Sequence, residues 1–299
     1  MNVRVENRQR LSDQEITDVL GLVEAAAEAD GVRPLNEQAM LQLRYGGEPG
    51  ATLLLLYAGD ELAGYAHVDP GDESPSAELV VHPAHRREGH GARLLRAVID
   101  AAGGRPRLWA HGDHAGVAAL AARFGLERVR SLWQMRRPLA EPLPTARLPE
   151  GVSLRTFVPG QDEEAWLKVN AAAFAHHPEQ GAWTMDDLLR REQEPWFDPS
   201  GFFLAVRGDR VVGFHWTKVH DAPSAQDALG EVYVVGVDPS QQGTGLGKAL
   251  TLAGLDHLRS RGIAQAMLYV DEANTAAVRL YQGLGFTRYD VDVMYAPPQ

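Results

Sequence analysis

One short passage occurs twice in this chain, and that duplication limits the fold more than any other feature. Pro83-x-x-Arg86-x-x-Gly89-x-Gly91 returns as Pro239-x-x-Gln242-x-x-Gly245-x-Gly247, each copy behind a β-branched run, at a constant separation of 156 residues. Farther on, Phe124-Gly125-Leu126 is answered by Leu284-Gly285-Phe286 at a separation of 160, so one short insertion distinguishes the copies. Self-similarity at a fixed offset marks a duplicated folding unit. A chain of 299 residues suffices for two domains that each bury a core. Pro138, Pro142, Pro144 and Pro149 punctuate a stretch without apolar periodicity that reads as a semi-rigid linker. The expected division is therefore a domain at 1–138, a linker at 139–150 and a domain at 151–299.

The two halves give the same order of elements. In the first, Ser12 and Glu15 form a capping box with Leu11 and Ile16 as a hydrophobic staple, and Ile16, Val19, Leu20 and Val23 share one helical face. A second helix is expected from Pro34 towards Arg44. Strands are expected at 52–57 and 62–68 around Gly59-Asp60, then at 77–81, 108–110 and 129–135, with helices after Gly89 and up to Phe124. In the second half, Thr184 and Asp187 form a cap pair, Gly208-Asp209 reads as a hairpin turn, and a strand at 231–237 leads into the second glycine passage. Each half reads as α/β, or α+β by stricter definition: a mixed, mostly antiparallel sheet flanked by helices.

Glycines between a strand and a helix let backbone N–H groups face outward unobstructed, and amides at a helix start bind phosphate oxygens. Two familiar phosphate loops do not fit. A P-loop needs glycine five residues before the Gly-Lys pair and Ser or Thr after it, where Gln242 and Ala249 flank Gly247-Lys248. A dinucleotide fingerprint needs a third glycine where Lys248 or Leu250 stands.

The remaining pattern, Arg/Gln-x-x-Gly-x-Gly, resembles the acyl-CoA pyrophosphate loop of the GCN5-related N-acetyltransferase (GNAT) superfamily. Asn274-x-x-Ala277-x-x-Leu280-Tyr281-x-x-x-Gly285-Phe286 resembles that superfamily's second signature. The runs Gly230–Pro239 and Phe174–Gly181, together with the tandem arrangement, are similar to the mycothiol synthases of actinobacteria. The resemblance covers nearly the whole chain and is strongest from Val152 onward.

The resemblance implies two tandem acetyltransferase domains, acetyl-CoA as co-substrate without a metal, and transfer of the acetyl group to the cysteinyl amine of a cysteinyl-glucosaminyl-inositol. It implies Glu231 as base and Tyr281 as acid for the departing thiolate. It places acetyl-CoA on Val235, Gly236, Val237, Gln242, Gly243, Thr244, Gly245, Leu246, Gly247, Lys248, Asn274, Ala277 and Arg279. In the first half the corresponding set is Leu79, Val80, Val81, Arg86, Arg87, Glu88, Gly89, His90, Gly91 and Ala92. Sugar recognition falls to Glu179, Lys218, Tyr269 and Glu231, with Glu37 reaching across from the first domain. Other readings stay open: a tandem acetyltransferase for a different amine or a protein N-terminus, or a non-catalytic acyl-CoA-binding module.

The second signature also separates the halves. Laid onto the first, it sets His114 opposite Asn274 and Ala121 opposite Tyr281, so the acid is missing, and counting back from Pro83 as Glu231 precedes Pro239 reaches Pro75. The first domain is expected to hold acetyl-CoA without catalysing and to wall the substrate cleft. His82, His85 and His90 do not share one helix face, and no metal site is expected there.

A formal charge of −11 disfavours nucleic acid and anionic membranes as partners. No run of apolar residues is long enough to span a bilayer and no export leader is legible, so a cytoplasmic protein is expected. The absence of cysteine excludes disulfides, thiolate metal sites and cysteine nucleophiles. Two tandem domains can act as a pseudo-dimer, and a monomer is expected.

Overall fold

The computed structural model describes residues 2–46, 50–71, 74–220 and 228–298. They gather into two compact units, one formed by Met1–Leu132 with Asp290–Gln299 and the other by Trp133–Tyr289. The elements of the first half are β1 (Val3–Arg8), α1 (Asp13–Asp30), α2 (Glu37–Tyr45), β2 (Thr52–Ala58), β3 (Glu61–Asp69), β4 (Ser76–Val81), α3 (His90–Ala101), β5 (Arg107–Ala110), α4 (Ala115–Arg123) and β6 (Glu127–Pro138). Those of the second are β7 (Ser153–Thr156), α5 (Glu163–Ala173), α6 (Pro178–Gly181), α7 (Met185–Glu192), β8 (Phe202–Arg207), β9 (Arg210–His220), β10 (Leu229–Val237), α8 (Leu246–Ser260), β11 (Gln265–Asp271), α9 (Thr275–Gly283) and β12 (Thr287–Ala296).

In the first unit the strands run β1-β2-β3-β4-β5, antiparallel except for the parallel pair β4–β5. In the second they run β11-β10-β9-β8-β7, again with one parallel pair, β10–β11. The capping box expected at Ser12 is present, with Ser12 N donating to Glu15 at 2.8 Å, and so is the one at Thr184. These caps satisfy amides that a helix start leaves without intrahelical partners. Val19, Leu22, Val23 and Ala26 of α1 pack on Leu53, Leu55, Tyr65 and Val80 to form the first unit's core. The second unit stacks Phe157, Trp166, Phe202, Phe214 and Trp216 on one side of its sheet.

β1 is not among the strands expected from the sequence. Its charged residues mask the alternation, because Arg4 and Arg8 pair with Glu6, and Arg8 with Glu15, beside the apolar positions. The last strand crosses between units in a way the duplication conceals. Asp290–Gln299 belong to the first unit, where Val293, Met294 and Tyr295 pair antiparallel with Ala110, Trp109 and Leu108. Residues from Trp133 to Pro138 of β6 belong to the second.

A buried ion cluster secures the returning strand. His111, just after β5, lies between two carboxylates: its Nε2 is 2.9 Å from Glu78 and its Nδ1 3.0 Å from Asp292, whose other oxygen accepts from Gly112 N at 3.0 Å. Burial works against a charge on this imidazole, but the Glu78 charge and the hydrogen bonds to both carboxylates outweigh it and push its pKa up to about 10. A raised folded value means that the imidazolium contributes its full stability below the unfolded value near 6.5 and loses it as pH climbs towards 10. The melting temperature of the first unit is therefore expected to fall between about pH 6.5 and 10. His111→Gln should flatten that slope and destabilise by roughly 3–5 kcal/mol, since two buried carboxylates lose their cation. Calorimetric melts of both proteins across this range check it.

Candidate active site

The second unit's site is built where two parallel strands part. β10 and β11 pair only at Leu229, Gly230 and Glu231 with Gln265, Ala266 and Met267, and Glu231 is the last rung. On its other side β10 pairs with β9, but the register slips between Val232 and Val234, leaving Tyr233 as a bulge. A bulge bends its strand and increases local twist, which turns the rest of β10 away from β11. The bulged side chain is anchored: Arg191 Nε donates to the Tyr233 hydroxyl at 2.8 Å, and the ring packs against Trp196 and Trp216 at 5.0 and 5.2 Å. Beyond the bulge, Val235, Gly236 and Val237 pair with His215, Phe214 and Gly213, and their other edge has no strand partner among the described residues. Gly236 is required by packing, since a Cβ there would stand 2.7 Å from the Phe214 ring.

The strand then enters the glycine loop. Asp238 caps a 3-10 turn at Pro239–Gln241, Gly243 and Gly245 adopt φ of +76° and +86°, and α8 opens on Gly245 without a side-chain cap. The first intrahelical acceptor bond is Ala249 N to Gly245 O at 3.1 Å, so the amides of Leu246, Gly247 and Lys248 have no partner within the helix. Three such amides at the positive end of a helix dipole make an anion site. Glu231 stands where this edge begins, and the strand delivers the chain into the loop at Val237, roughly 20 Å farther along by strand rise.

The first unit repeats the loop closely. His82 caps a 3-10 turn at Pro83–His85, and Gly89 opens α3 with φ of +85° and no side-chain cap. Arg87 takes the place of Gly243 and adopts φ of +67°, the left-handed region a non-glycine residue enters at a cost. Glu88, His90, Gly91 and Ala92 surround the helix start, while Leu79, Val80 and Val81 lie beyond the last β4–β5 pair. The Arg86 side chain is engaged elsewhere, in a two-pronged bond to Asp30 of α1 at 2.7 and 2.8 Å and a bond from its Nε to Val81 O. In the second copy Gln242 is exposed.

The parallel ladders also locate a carboxylate that counting from the prolines does not find. Glu78 is the last rung of β4–β5, the place Glu231 holds in β10–β11, and it is buried. Its pairing is different: β4 meets β3 without a slip, and Glu78 is occupied by His111 and by Asn36 N at 2.8 Å.

Tyr281 is buried on α9 against Phe286 at 5.9 Å between ring centroids, and burial pushes its pKa up to about 12. Asn274 caps α9, its Oδ1 accepting from Ala277 N at 3.1 Å, and Arg279 is exposed on the same helix. His114 holds the corresponding position before α4 and makes no side-chain cap. Lys218 is cross-strand from Glu231, with its ammonium 4.2 Å from the Trp196 ring centre and 5.1 Å from that of Tyr233. Tyr269, half-exposed on β11, accepts from Gln134 Nε2 at 3.0 Å. Thr244 Oγ1 donates to Gln241 O, and Lys248 is exposed. Glu37 opens α2 in the first unit; the Glu179 side chain lies outside the described residues. The first unit's loop brings donor atoms of His85, Glu88 and His90 to within 4.8 Å of one another, a convergence that helix-face counting misses because the 3-10 turn supplies one of them. His85 faces Glu61 at 3.3 Å and His90 faces Glu88 at 3.4 Å.

The sequence did not single out His220. Its Nε2 lies 2.7 Å from Glu231 Oε2.

Comparison with known proteins bears on this geometry. The sequence profile of the acetyltransferase (GNAT) family matches residues 22–126 and 166–286. The chain is 68% identical to a mycothiol acetyltransferase of Thermobispora bispora over 99% of both chains, and 60% identical to one of Streptosporangium roseum, also over 99% of both. Among solved structures it resembles a GCN5-related N-acetyltransferase of Sphaerobacter thermophilus at 26% identity, with a TM-score of 0.70 over 98% of this chain and 95% of that one. A tandem GNAT protein of the clavulanic acid pathway, at 21% identity and a TM-score of 0.70 over 99% of both chains, shares the fold.

The shared loop backbone predicts opposite effects of two exchanges. Arg87→Gly should raise stability by up to about 1 kcal/mol and Gly243→Arg should lower it by about 1–2 kcal/mol, because each moves a side chain out of or into the left-handed region. Chemical denaturation of the two variants measures both.

Proposed function

The chain belongs to the acetyltransferase (GNAT) family and is an acetyltransferase; from that premise we propose that it acetylates the cysteinyl amine of a cysteinyl-glucosaminyl-inositol with acetyl-CoA, giving mycothiol and CoA. One observation carries the reading. A buried carboxylate stands at the fork of β10 and β11, and three uncapped helix amides lie at the far end of the same open strand edge. That arrangement suits a long ligand with an anionic end and a reactive end. Similarity to the Thermobispora and Streptosporangium enzymes supports the acceptor.

The residues fit such a ligand. Leu246, Gly247 and Lys248 present amides to a pyrophosphate, with Gln242, Gly243, Thr244 and Gly245 shaping the loop. The open edge of Val235–Val237 pairs with the amide-bearing arm as an added strand would, and one of its N–H groups polarises the thioester carbonyl. Acetyl-CoA supplies the activated acyl group. Asn274, Ala277 and Arg279 line the start of α9 on the cofactor side.

Glu231 takes a proton from the acceptor ammonium, whose α-amino pKa of about 8 makes that a modest demand. Tyr281, kept protonated by burial, gives a proton to the CoA thiolate. Lys218 and Tyr269 contact the sugar and inositol hydroxyls. In the first unit, the Arg87–Ala92 loop and the Leu79–Val81 edge hold a second acetyl-CoA without turnover, since Ala121 stands where the acid would be. No helix among the described residues is long and apolar enough to cross a membrane. A cytoplasmic monomer without nucleic-acid or membrane partners completes the reading.

Release of CoA with cysteinyl-glucosaminyl-inositol, free cysteine and glucosamine as acceptors tests the assignment. The pseudodisaccharide should exceed both by orders of magnitude in kcat/KM; parity with free cysteine overturns it. Glu231→Gln is expected to lower kcat by about 10²–10⁴-fold and Tyr281→Phe by about 10-fold or more, with little change in acetyl-CoA binding. Titration of acetyl-CoA into Gly247→Asp should leave one of two binding events.

A further inference from the structure

The balance of the reaction leaves one proton to be exported. An ammonium acceptor and a thioester give an amide, a thiol and one H⁺: of the three ammonium hydrogens, one stays on the amide nitrogen, one replaces the proton Tyr281 gives to the CoA sulfur, and one must reach water. Glu231 is poorly placed to deliver it, because its side chain is only 9% exposed.

His220 stands between that carboxylate and solvent. It is the last residue of β9, diagonally across from Glu231, with Nε2 2.7 Å from Glu231 Oε2 and a side chain 36% exposed. Lys218 does not serve in its place, since its ammonium is drawn to Trp196 and Tyr233. By strand register, the titratable neighbours on the packed strands are Lys218 on β9, Tyr233 on β10 and Tyr269 on β11.

The first unit shows what an enclosed version looks like. There too the last rung of the parallel ladder is a glutamate bonded to an imidazole, Glu78 to His111, but Asp292 takes the second ring nitrogen and the side chain is 13% exposed. Such a ring holds its proton. The His220 ring has the opposite setting, one nitrogen on the buried carboxylate and the ring edge open to solvent.

We propose that His220 is the positioning residue for Glu231 and the carrier of its proton, a role that rests on reading Glu231 as the base. Glu231 takes H⁺ from the ammonium and becomes a neutral acid. Once Glu231 is an acid, exchange with water moves the ring proton from Nε2 to Nδ1; the acid passes its H⁺ to the freed Nε2 lone pair, and the resulting imidazolium releases the Nδ1 proton to water, which restores Nε2–H on the carboxylate. Between turnovers the Nε2–Oε2 bond fixes the carboxylate rotamer, directing the other oxygen to the acceptor.

Two substitutions separate holding from carrying. His220→Gln places an amide N–H near Nε2 but carries no proton; His220→Ala does neither. With the full-length protein and thermal melts as a folding check, His220→Ala should lower kcat about 10–100-fold, change the pH profile of kcat and leave KM for acetyl-CoA unchanged. Free imidazole should restore part of that loss. His220→Gln should recover the KM for the amine but not kcat. If His220→Gln or His220→Ala keeps wild-type kcat with an unchanged pH profile while Glu231→Gln is inactive, the proton-carrying role is overturned and the base stands. A fully active Glu231→Gln instead sinks the base reading, and the dyad with it.

Discussion

The second unit's site depends on the point at which β10 and β11 stop pairing. Parallel strands that stay together satisfy each other's amides and leave nothing for a ligand. Here the Tyr233 bulge ends the ladder at Glu231, so a buried carboxylate and an open strand edge arise from one local irregularity. Arg191, Trp196 and Trp216 hold the bulged tyrosine, which ties the site to the aromatic core. A bulge without such anchoring would be free to slip its register, and a one-residue slip would turn Glu231 to the other face of the sheet.

Duplication preserved one part of this machinery and changed another. The glycine loop has the same backbone in both units, to the extent that Arg87 accepts a left-handed conformation where Gly243 has it without strain. At the fork, however, β4 meets β3 without a bulge, and its glutamate is committed to His111 and Asn36. An anion site made of main-chain amides tolerates side-chain change, whereas an acid–base pair does not. That difference accounts for a loop backbone kept in both units while the glutamate at the end of each parallel ladder is bonded differently.

Local signals were legible in proportion to how local their physics is. The capping boxes at Ser12 and Thr184, the hairpins at Gly59 and Gly208, and the uncapped starts of α3 and α8 each follow from a few adjacent residues, and the sequence reads them correctly. β1 escaped because its charges are neutralised by one another and by Glu15. Glu78 escaped because it lies five residues before Pro83 whereas Glu231 lies eight before Pro239, a difference set by where each parallel ladder ends and only partly by the extra Tyr233. His220 escaped because its meaning comes from a cross-strand neighbour 11 residues away.

Residue type at short fixed spacings is enough to read a duplicated mixed-sheet fold, the two glycine loops and the family. The rest comes from long-range pairing. It sent the last strand into the first unit beside β5, locked His111 between two carboxylates, and set His220 between Glu231 and solvent. Those outcomes depend on which strands pair and where the pairing stops. Register is a property of two segments at once, and no single stretch of chain encodes it.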